Sequence, residues 1–444
     1  MESLLLDQLA ETPGYHIVEE ERWNSLLSSG VLPLLDTPRE VVRLANTVDV
    51  MSASVGNEVN FTDLVGLEAP RVFHEDVHTE IKSSPNRFVG HRTPSLRSPQ
   101  EPDQYEDLLS DLDSDREPVE SILKTLFPMV NDNLNDQSSA FGDWDQMRVH
   151  KRICHRERLP VYFRLTIPDG EVSSTEMGTI LSNIGDEEFL VEKIEESLEE
   201  PGAVGGSKAN TIIRRLSDRV DEIQDSQRQS VVNAIFATGD NLVQTTEVNH
   251  NREVQRTMFF VRDIALKLDQ SDRLNLLSEA IQNGNSPYLA SRFIELLLRE
   301  HGEYDADPSP EADRLLDMKD IDELKSVVVE TVSDAAATGD LIDVPWLKRP
   351  LEQWRDWGDP EEPEEWVDQS VSDDFSLIEF IDAMSFVSTV NWTETIFYVD
   401  PRWVYEWIDQ NKIENELDDL DQSDLTEHEE EVVQRYEDAK DILE

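Results

Sequence analysis

Apolar residues recur at helical spacing along most of the chain. Leu4, Leu5, Leu6 and Leu9 open it, EEERWNSLLSSGVLPLL follows, and LDTPREVVRLANTVDV places Val41, Val42, Leu44, Ala45 and Val48 on one apolar stripe. In that last stretch Thr37 suits the N-cap, Pro38 suits N1, and Glu40, three residues on, completes a capping box. NFTDLVGLEAPRVFHEDVHTEI predicts a further helix with Asn60 as N-cap and a kink or break near Pro70. Residues 84–116, rich in Pro, Ser, Asp and Arg with little periodicity, read as an exposed linker.

Helical spacing resumes at REPVESILKTLFPMV. LPVYFRLTIPDGEVSSTEMGTIL then mixes a short strand near 160–170 with a turn and a helix, whose capping box would be Ser173 and Glu176. Beyond EEPGAVGGSKAN, residues 208–302 predict several amphipathic helices. The clearest is SPYLASRFIELLLREHG, with Ser286 as cap, Pro287 at N1 and Gly302 as the stop. The series has no fixed repeat period, so a solenoid is one arrangement among others.

The fold class expected is therefore mainly α. A helical lid-like subdomain (1–83) and an exposed linker (84–116) precede a mixed helical segment with a short strand (117–200). A helical array (201–305) and an acidic Trp-rich helical module (306–444) follow. Trp346, Trp354, Trp357, Trp366, Trp392, Trp403 and Trp407 put seven of the nine tryptophans in that last module. Aromatic packing of its own small core explains them more simply than a partner-binding aromatic surface.

Charge changes the picture. Asp and Glu number 96 against 39 Lys and Arg, only eleven of them Lys, for a formal net charge of −57. Carboxylates lie along the whole chain rather than in one tail, which points to the solvent as their cause. At molar salt the Debye length is roughly 3 Å, and self-repulsion that would swell this chain in dilute buffer is screened. A cytoplasmic protein of a salt-accumulating halophile, an archaeon, is the expectation. The periodic apolar segments, within 38% apolar residues overall, argue against wholesale disorder. The charge disfavours nucleic acid as a partner. The single Cys154 excludes an intramolecular disulfide, MESLLLDQLAETPG has no leader pattern, and no window approaches about 18 uninterrupted apolar residues. Membrane association would then come only through a partner.

Against that background Arg39 and Arg43 stand out. Arg39 falls at N2 of a helix and Arg43 about one turn on, where the helix dipole already makes the first turn electropositive. A cation there invites an anion in front of it, phosphate above all, unless it simply pairs with one of the many nearby acids. RWNSLLSSGVLPLLDTPREVVRLANTVDV, followed by GNEVNFTDLVGLEAPRVFHEDVHTEI and YFRLTIPDGEVSSTEM, and more faintly LASRFIELLLREHG, resembles the end of the nucleotide-binding domain of the KAP family of P-loop NTPases. The resemblance covers about the first two hundred residues.

It implies a helical lid with a TPR-like helix start, in which Arg39 senses nucleotide phosphates and Arg43 is a second contact. It implies, too, a regulatory helical region acting in interaction or signalling, such as defence against phage or plasmids. ATP and Mg²⁺ would be bound only together with a Walker-bearing partner segment, an upstream NTPase half in the same or a neighbouring reading frame. A P-loop must wrap the phosphates with backbone N–H groups, and the nearest approach, Gly202 to Ala209, has Ser207 where Gly is needed and Ala209 where a hydroxyl is needed. No ATP hydrolysis is expected from this chain alone.

Two other chemistries remain open from spacing. His74, Glu75 and His78 match H-E-x-x-H, a zinc-peptidase pattern if both imidazoles share a helix face, although Asp76 and Pro70 fit it poorly. His150, Cys154 and His155 could ligate a metal but lack an evident fourth ligand. They lie in the basic island Arg148 to Arg158, which reads as a docking surface for acidic residues of this same chain. The alternative to the NTPase reading is a free-standing helical scaffold in which Arg39 pairs with an acid.

Overall fold

The computed structural model describes residues 1–89, 105–134, 144–156, 158–163, 170–202, 206–244, 250–372, 374–390, 394–418, 420 and 425–443. The fold is mainly α, and the chain divides into two units, Met1–Ser174 and Thr175–Glu444.

The first unit holds α1 (Glu2–Leu9), α2 (Glu20–Ser25), α3 (Pro38–Val55), α4 (Phe61–Phe73), α5 (Glu75–Ser83), α6 (Glu106–Leu109), α7 (Arg116–Leu126), α8 (Pro128–Leu134), α9 (Trp144–Val149) and α10 (Leu159–Tyr162). Its core gathers Leu5, Leu26, Leu44, Val48, Leu64, Ile122, Phe127 and Tyr162. Helix α2 runs on through a π turn (Leu26–Val31) that packs on α7, and Gly30 sits there because a Cβ would meet Ile122 Cγ1 at 2.6 Å.

The α3 capping box forms as the sequence predicts: Glu40 Oε2 accepts from the Thr37 N–H at 2.7 Å, and Thr37 Oγ1 accepts from the Glu40 N–H. Asn60 caps α4, its Oδ1 accepting from the Asp63 N–H. The break expected near Pro70 falls at His74. Helix α4 continues to Phe73 and ends at His74, because Pro70 deletes only its own N–H while its carbonyl still accepts from the His74 N–H.

One further expectation needs correction, and another falls largely outside the described residues. The described flanks of the expected linker are folded: Phe88, Tyr105 and Leu109 are fully buried, Phe88 against the Tyr105 and Phe127 rings. A few apolar residues spaced among Pro and Asp suffice to anchor an aperiodic segment. In the stretch expected to hold a short strand, Leu159–Tyr162 is one turn of helix, and residues 164–169 lie outside the described residues.

The second unit begins with α11 (Ser174–Ser182) and continues with α12 (Glu187–Leu198), α13 (Lys208–Ser217), α14 (Asp225–Gln244), α15 (His250–Leu266), α16 (Gln270–Asn283), α17 (Pro287–Glu300), α18 (Met318–Thr338) and α19 (Lys348–Trp357). From α12 to α19 the helices form two layers. The even-numbered helices α12, α14, α16 and α18 pack in succession, and so do the odd-numbered α13, α15, α17 and α19. This is the stacking of a helical-repeat array, in which each pair buries its apolar stripe against the next. Pair lengths vary, so no period shows in the sequence.

Close passages fix the register. A Cβ on Gly284 would lie 2.6 Å from the Phe236 carbonyl oxygen, and one on Gly239 would lie 2.3 Å from Leu289 Cδ2. Pro287 takes the first position of α17 as expected, but Ser286 does not cap its own helix. Its Oγ accepts from the Asp240 N–H of α14, and the Asp240 carboxylate receives the Tyr288 and Leu289 N–H groups instead.

The array is followed by α20 (Glu361–Ser370), α21 (Asp374–Ala383), β1 (Phe386–Val390), β2 (Glu394–Tyr398), α22 (Pro401–Tyr405), α23 (Gln410–Asp418) and α24 (Glu427–Leu443). The antiparallel β1–β2 hairpin, Phe386 opposite Tyr398, corrects the expectation of a purely helical module. The tryptophans pack inward. Trp346 and Trp354 are buried, Trp357, Trp366, Trp403 and Trp407 are half-buried, and Trp392 lies outside the described residues.

Candidate functional site

Arg39 and Arg43 are exposed on α3, and neither has an ion-pair partner among the described residues. The pairing with a nearby acid, open from the sequence, is not made there. Glu40 already serves the helix mouth: its Oε2 also accepts from the Asp36 N–H at 2.7 Å, and these bonds, above all that from Thr37, hold its carboxyl below the usual range. An anion approaching the mouth would therefore meet Arg39 and Arg43 rather than the Asp36 and Thr37 N–H groups. Val42, 40% exposed, lies between the two arginines, and Val50 is 62% exposed two turns on.

The H-E-x-x-H pattern does not share one helix. His74 sits at the break between α4 and α5, with φ −141° and ψ 70°, so its ring is not on the α5 face that carries His78. His74 Nε2 pairs with Asp115 Oδ2 at 3.0 Å, and the His78 ring lies 5.2 Å from the Phe163 ring. Burial, then the charges of Arg71 and Lys82, lower the His78 pKa to about 4, so this imidazole stays neutral near pH 7. Nearby Glu68, its carboxyl buried beside Arg71, is pushed up to about 7 by desolvation. Among the described residues no group of three His, Cys, Asp or Glu side chains is arranged to hold a metal ion. The peptidase geometry is thus contradicted at His74.

Most arginines of the basic island fold inward, while Arg156 stays exposed. Arg148, Arg152 and Arg158 are buried, as is Cys154, whose Sγ lies 3.5 Å from Met147 Sδ and whose thiol pKa is raised by burial. The acidic neighbour is Asp63 of α4, whose side chain is wholly buried. Its Oδ2 accepts from Arg152 Nε at 3.1 Å and from the Ile153 N–H at 2.8 Å, and its Oδ1 pairs with Arg22 of α2. Glu19 faces both guanidiniums, at 3.6 Å from Arg22 and 3.4 Å from Arg152. Burial, then the Arg152 charge, brings Arg22 down to about 10. Tyr162 completes the knot, donating to the Lys151 carbonyl at 2.7 Å while its hydroxyl accepts from the Asn60 N–H.

Sequence reasoning missed Asp63, which lies in the first turn of α4. Two adjoining surface clefts of about 610 and 630 Å³ open beside this knot and share Ser25 and Thr125. Glu19, Glu20 and Glu21 border the second cleft against Arg22 and Arg152, so its charge is balanced to acidic.

The Gly-rich stretch serves a helix start. Pro201 pairs with Ser207 across it, and Ser207 caps α13 in a box with Asn210; residues 203–205 lie outside the described residues. Lys208, in the P-loop lysine's position, is bound to Glu176 at 3.2 Å and Glu200 at 3.1 Å. That pairing occupies the charge a phosphate would need. Glu176, expected in a capping box, also meets Lys193 at 3.0 Å.

No helix among the described residues is long and apolar enough to cross a membrane. No family model matches the chain, and no curated protein and no solved structure is significantly similar to it.

Proposed function

We propose that this protein is a helical interaction module whose stacked pairs α12–α19 bind a protein partner. The observation that supports the reading is the two-layer array itself. Each layer sets consecutive helices side by side, the kind of face helical repeats use to hold polypeptides. Hydrogen exchange on the full chain in molar KCl, with and without a partner co-purified from the source cells, tests it. Slowed exchange confined to α12–α19 is the expected result; protection confined to residues 1–174 would overturn it.

A second reading is favoured by the unpaired arginines of α3. In it the first unit is the lid of a KAP-like P-loop NTPase, and Arg39 and Arg43 contact the phosphates of Mg·ATP gripped by a Walker-bearing segment supplied elsewhere. A guanidinium free at a capped helix start can meet a triphosphate without first breaking an ion pair. The test is a fluorescent-ATP titration of the chain reconstituted with that segment. Arg39→Ala should weaken binding about tenfold, the loss of one charge-assisted contact of about 1.4 kcal/mol. Equal affinity for Arg39→Ala and the wild-type chain would end this reading. The halophilic setting and cytoplasmic location belong to the same proposal and rest on the charge pattern.

A further inference from the structure

The odd-numbered layer of the array carries a concentration of positive charge that the chain's composition does not lead one to expect. Glu295 of α17, 3% exposed, is surrounded by arginines: Arg292 Nη1 lies 2.8 Å from its Oε2, Arg299 Nη2 lies 2.9 Å from its Oε1, and Arg349 Nε of α19 lies 3.9 Å from its Oε2. Arg349 also reaches Glu352 at 3.1 Å, and Lys348 pairs with the same carboxylate. Four cations therefore pair with two carboxylates, with Asp400 near Lys348 as a third, still a local excess of positive charge in a chain of net charge −57.

Aromatic rings back three of these cations. The Arg299 guanidinium stands over Tyr304 at 5.6 Å, Arg349 over Trp346 at 5.3 Å and Lys348 over Trp403 at 5.3 Å. Stacking fixes the two guanidinium planes, each of which spends only part of its N–H edge on Glu295 or Glu352. Polar atoms are orphaned at the same seam. Ser291 Oγ, Arg292 Nε, Trp346 Nε1, Arg349 Nε and Gln353 Oε1 are buried without a hydrogen-bond partner.

We infer that the α17–α19 face docks an acidic polypeptide segment, its carboxylates received by Arg299 and Arg349 and their neighbours. This rests on the array's role as a partner-binding platform and names the chemistry of the partner. The spread of the cations favours a polypeptide over a small anion. Arg292 and Arg299 are seven residues apart on a helix, about 10 Å along its axis, which one phosphate cannot bridge but carboxylates repeated along a chain can. Nucleic acid is disfavoured twice. The whole-chain charge repels a phosphate backbone, and the cations already occupy faces of the rings on which bases would stack.

The experiment uses the full chain at the lowest KCl concentration that keeps it folded. Fluorescein-labelled oligo-glutamate of about twelve residues is the probe, read by anisotropy, with a single-stranded oligonucleotide of similar length as comparator. The wild-type chain should bind oligo-glutamate saturably. Arg299→Gln/Arg349→Gln should weaken it about tenfold or more, while Arg116→Gln, in the first unit, should leave it unchanged. Because Arg349 packs on Trp346, the single Arg299→Gln variant, whose side chain is 48% exposed, serves if the double variant melts early.

Equal binding by the seam variants and the wild-type chain overturns the inference, as does preference for the oligonucleotide. Sedimentation that shows a dimer dissolved by the same substitutions would assign the face to a second copy and overturn it too. If hydrogen exchange maps a partner to α12–α19 while oligo-glutamate ignores these arginines, only this inference fails and the platform reading stands.

Discussion

Replacing Asp63 with Asn removes one negative charge from a side chain that is wholly buried. The carboxylate holds two guanidiniums, Arg22 and Arg152, whose side chains are only 14% and 9% exposed, and it accepts the Ile153 N–H as well. Asn keeps an oxygen for one of these donors but turns an N–H₂ group toward another. The two like charges then face each other with only Glu19, at 3.6 and 3.4 Å and 37% exposed, between them and solvent.

Breaking a buried pair by deleting one partner costs about 3–5 kcal/mol; with Glu19 still present, the low end, about 3 kcal/mol, is expected. For a unit of this size that lowers the midpoint by about 6–12 °C. Calorimetry of the full chain in molar KCl measures it. The transition of the first unit should move while that of the second stays. Asp63→Leu combined with Arg22→Met and Arg152→Met should regain most of the loss, because the cost lies in uncompensated charge rather than in missing volume. A shift corresponding to less than about 1 kcal/mol for Asp63→Asn would refute the claim that this carboxylate neutralises a buried pair.

Further outcomes follow from the same geometry. Glu68 and Asp240 are held near pKa 7, above the unfolded values of 4.5 and 3.8, so the folded state binds more protons between those limits. Their contribution to stability is fully present below the unfolded values and lost as pH rises through about 7; Glu68→Gln should flatten the slope of urea midpoint against pH over that window. His78 acts in the opposite sense: its contribution is present above pH 6.5 and lost as pH falls toward about 4, and His78→Phe should remove that acid limb from the same urea curves. Gly284→Ala drives a methyl to 2.6 Å from a backbone carbonyl that cannot swing aside, so a loss of about 1–3 kcal/mol is expected by urea titration. Dilution from molar to about 0.1 M KCl lengthens the screening distance to about 10 Å and should lower the melting midpoint; a midpoint indifferent to salt would contradict the reading of the net charge.

Local signals in the sequence decided more than the composition did. The start of α3 was written in Thr37, Pro38 and Glu40, and that of α4 in Asn60, because a capping bond closes within three residues and needs no other part of the chain. The apolar stripe of α3 was equally legible, since Val41, Leu44, Ala45 and Val48 are buried as their spacing predicts. The zinc pattern misled for the complementary reason. H-E-x-x-H presumes one unbroken helix, and the chain turns at His74.

What the tertiary structure alone decided is which charges meet. Asp63 finds Arg152 across 89 positions, Asp240 caps a helix 48 positions away, and α17 and α19 bring Glu295 beside Arg349. With 96 carboxylates available, sequence spacing cannot choose the partner of a given arginine. Periodicity says which face of a helix is buried, whereas the identity of the buried neighbour depends on which helices stack. That choice rests on close fits such as Gly284 against Phe236, which leave no trace in a hydropathy pattern.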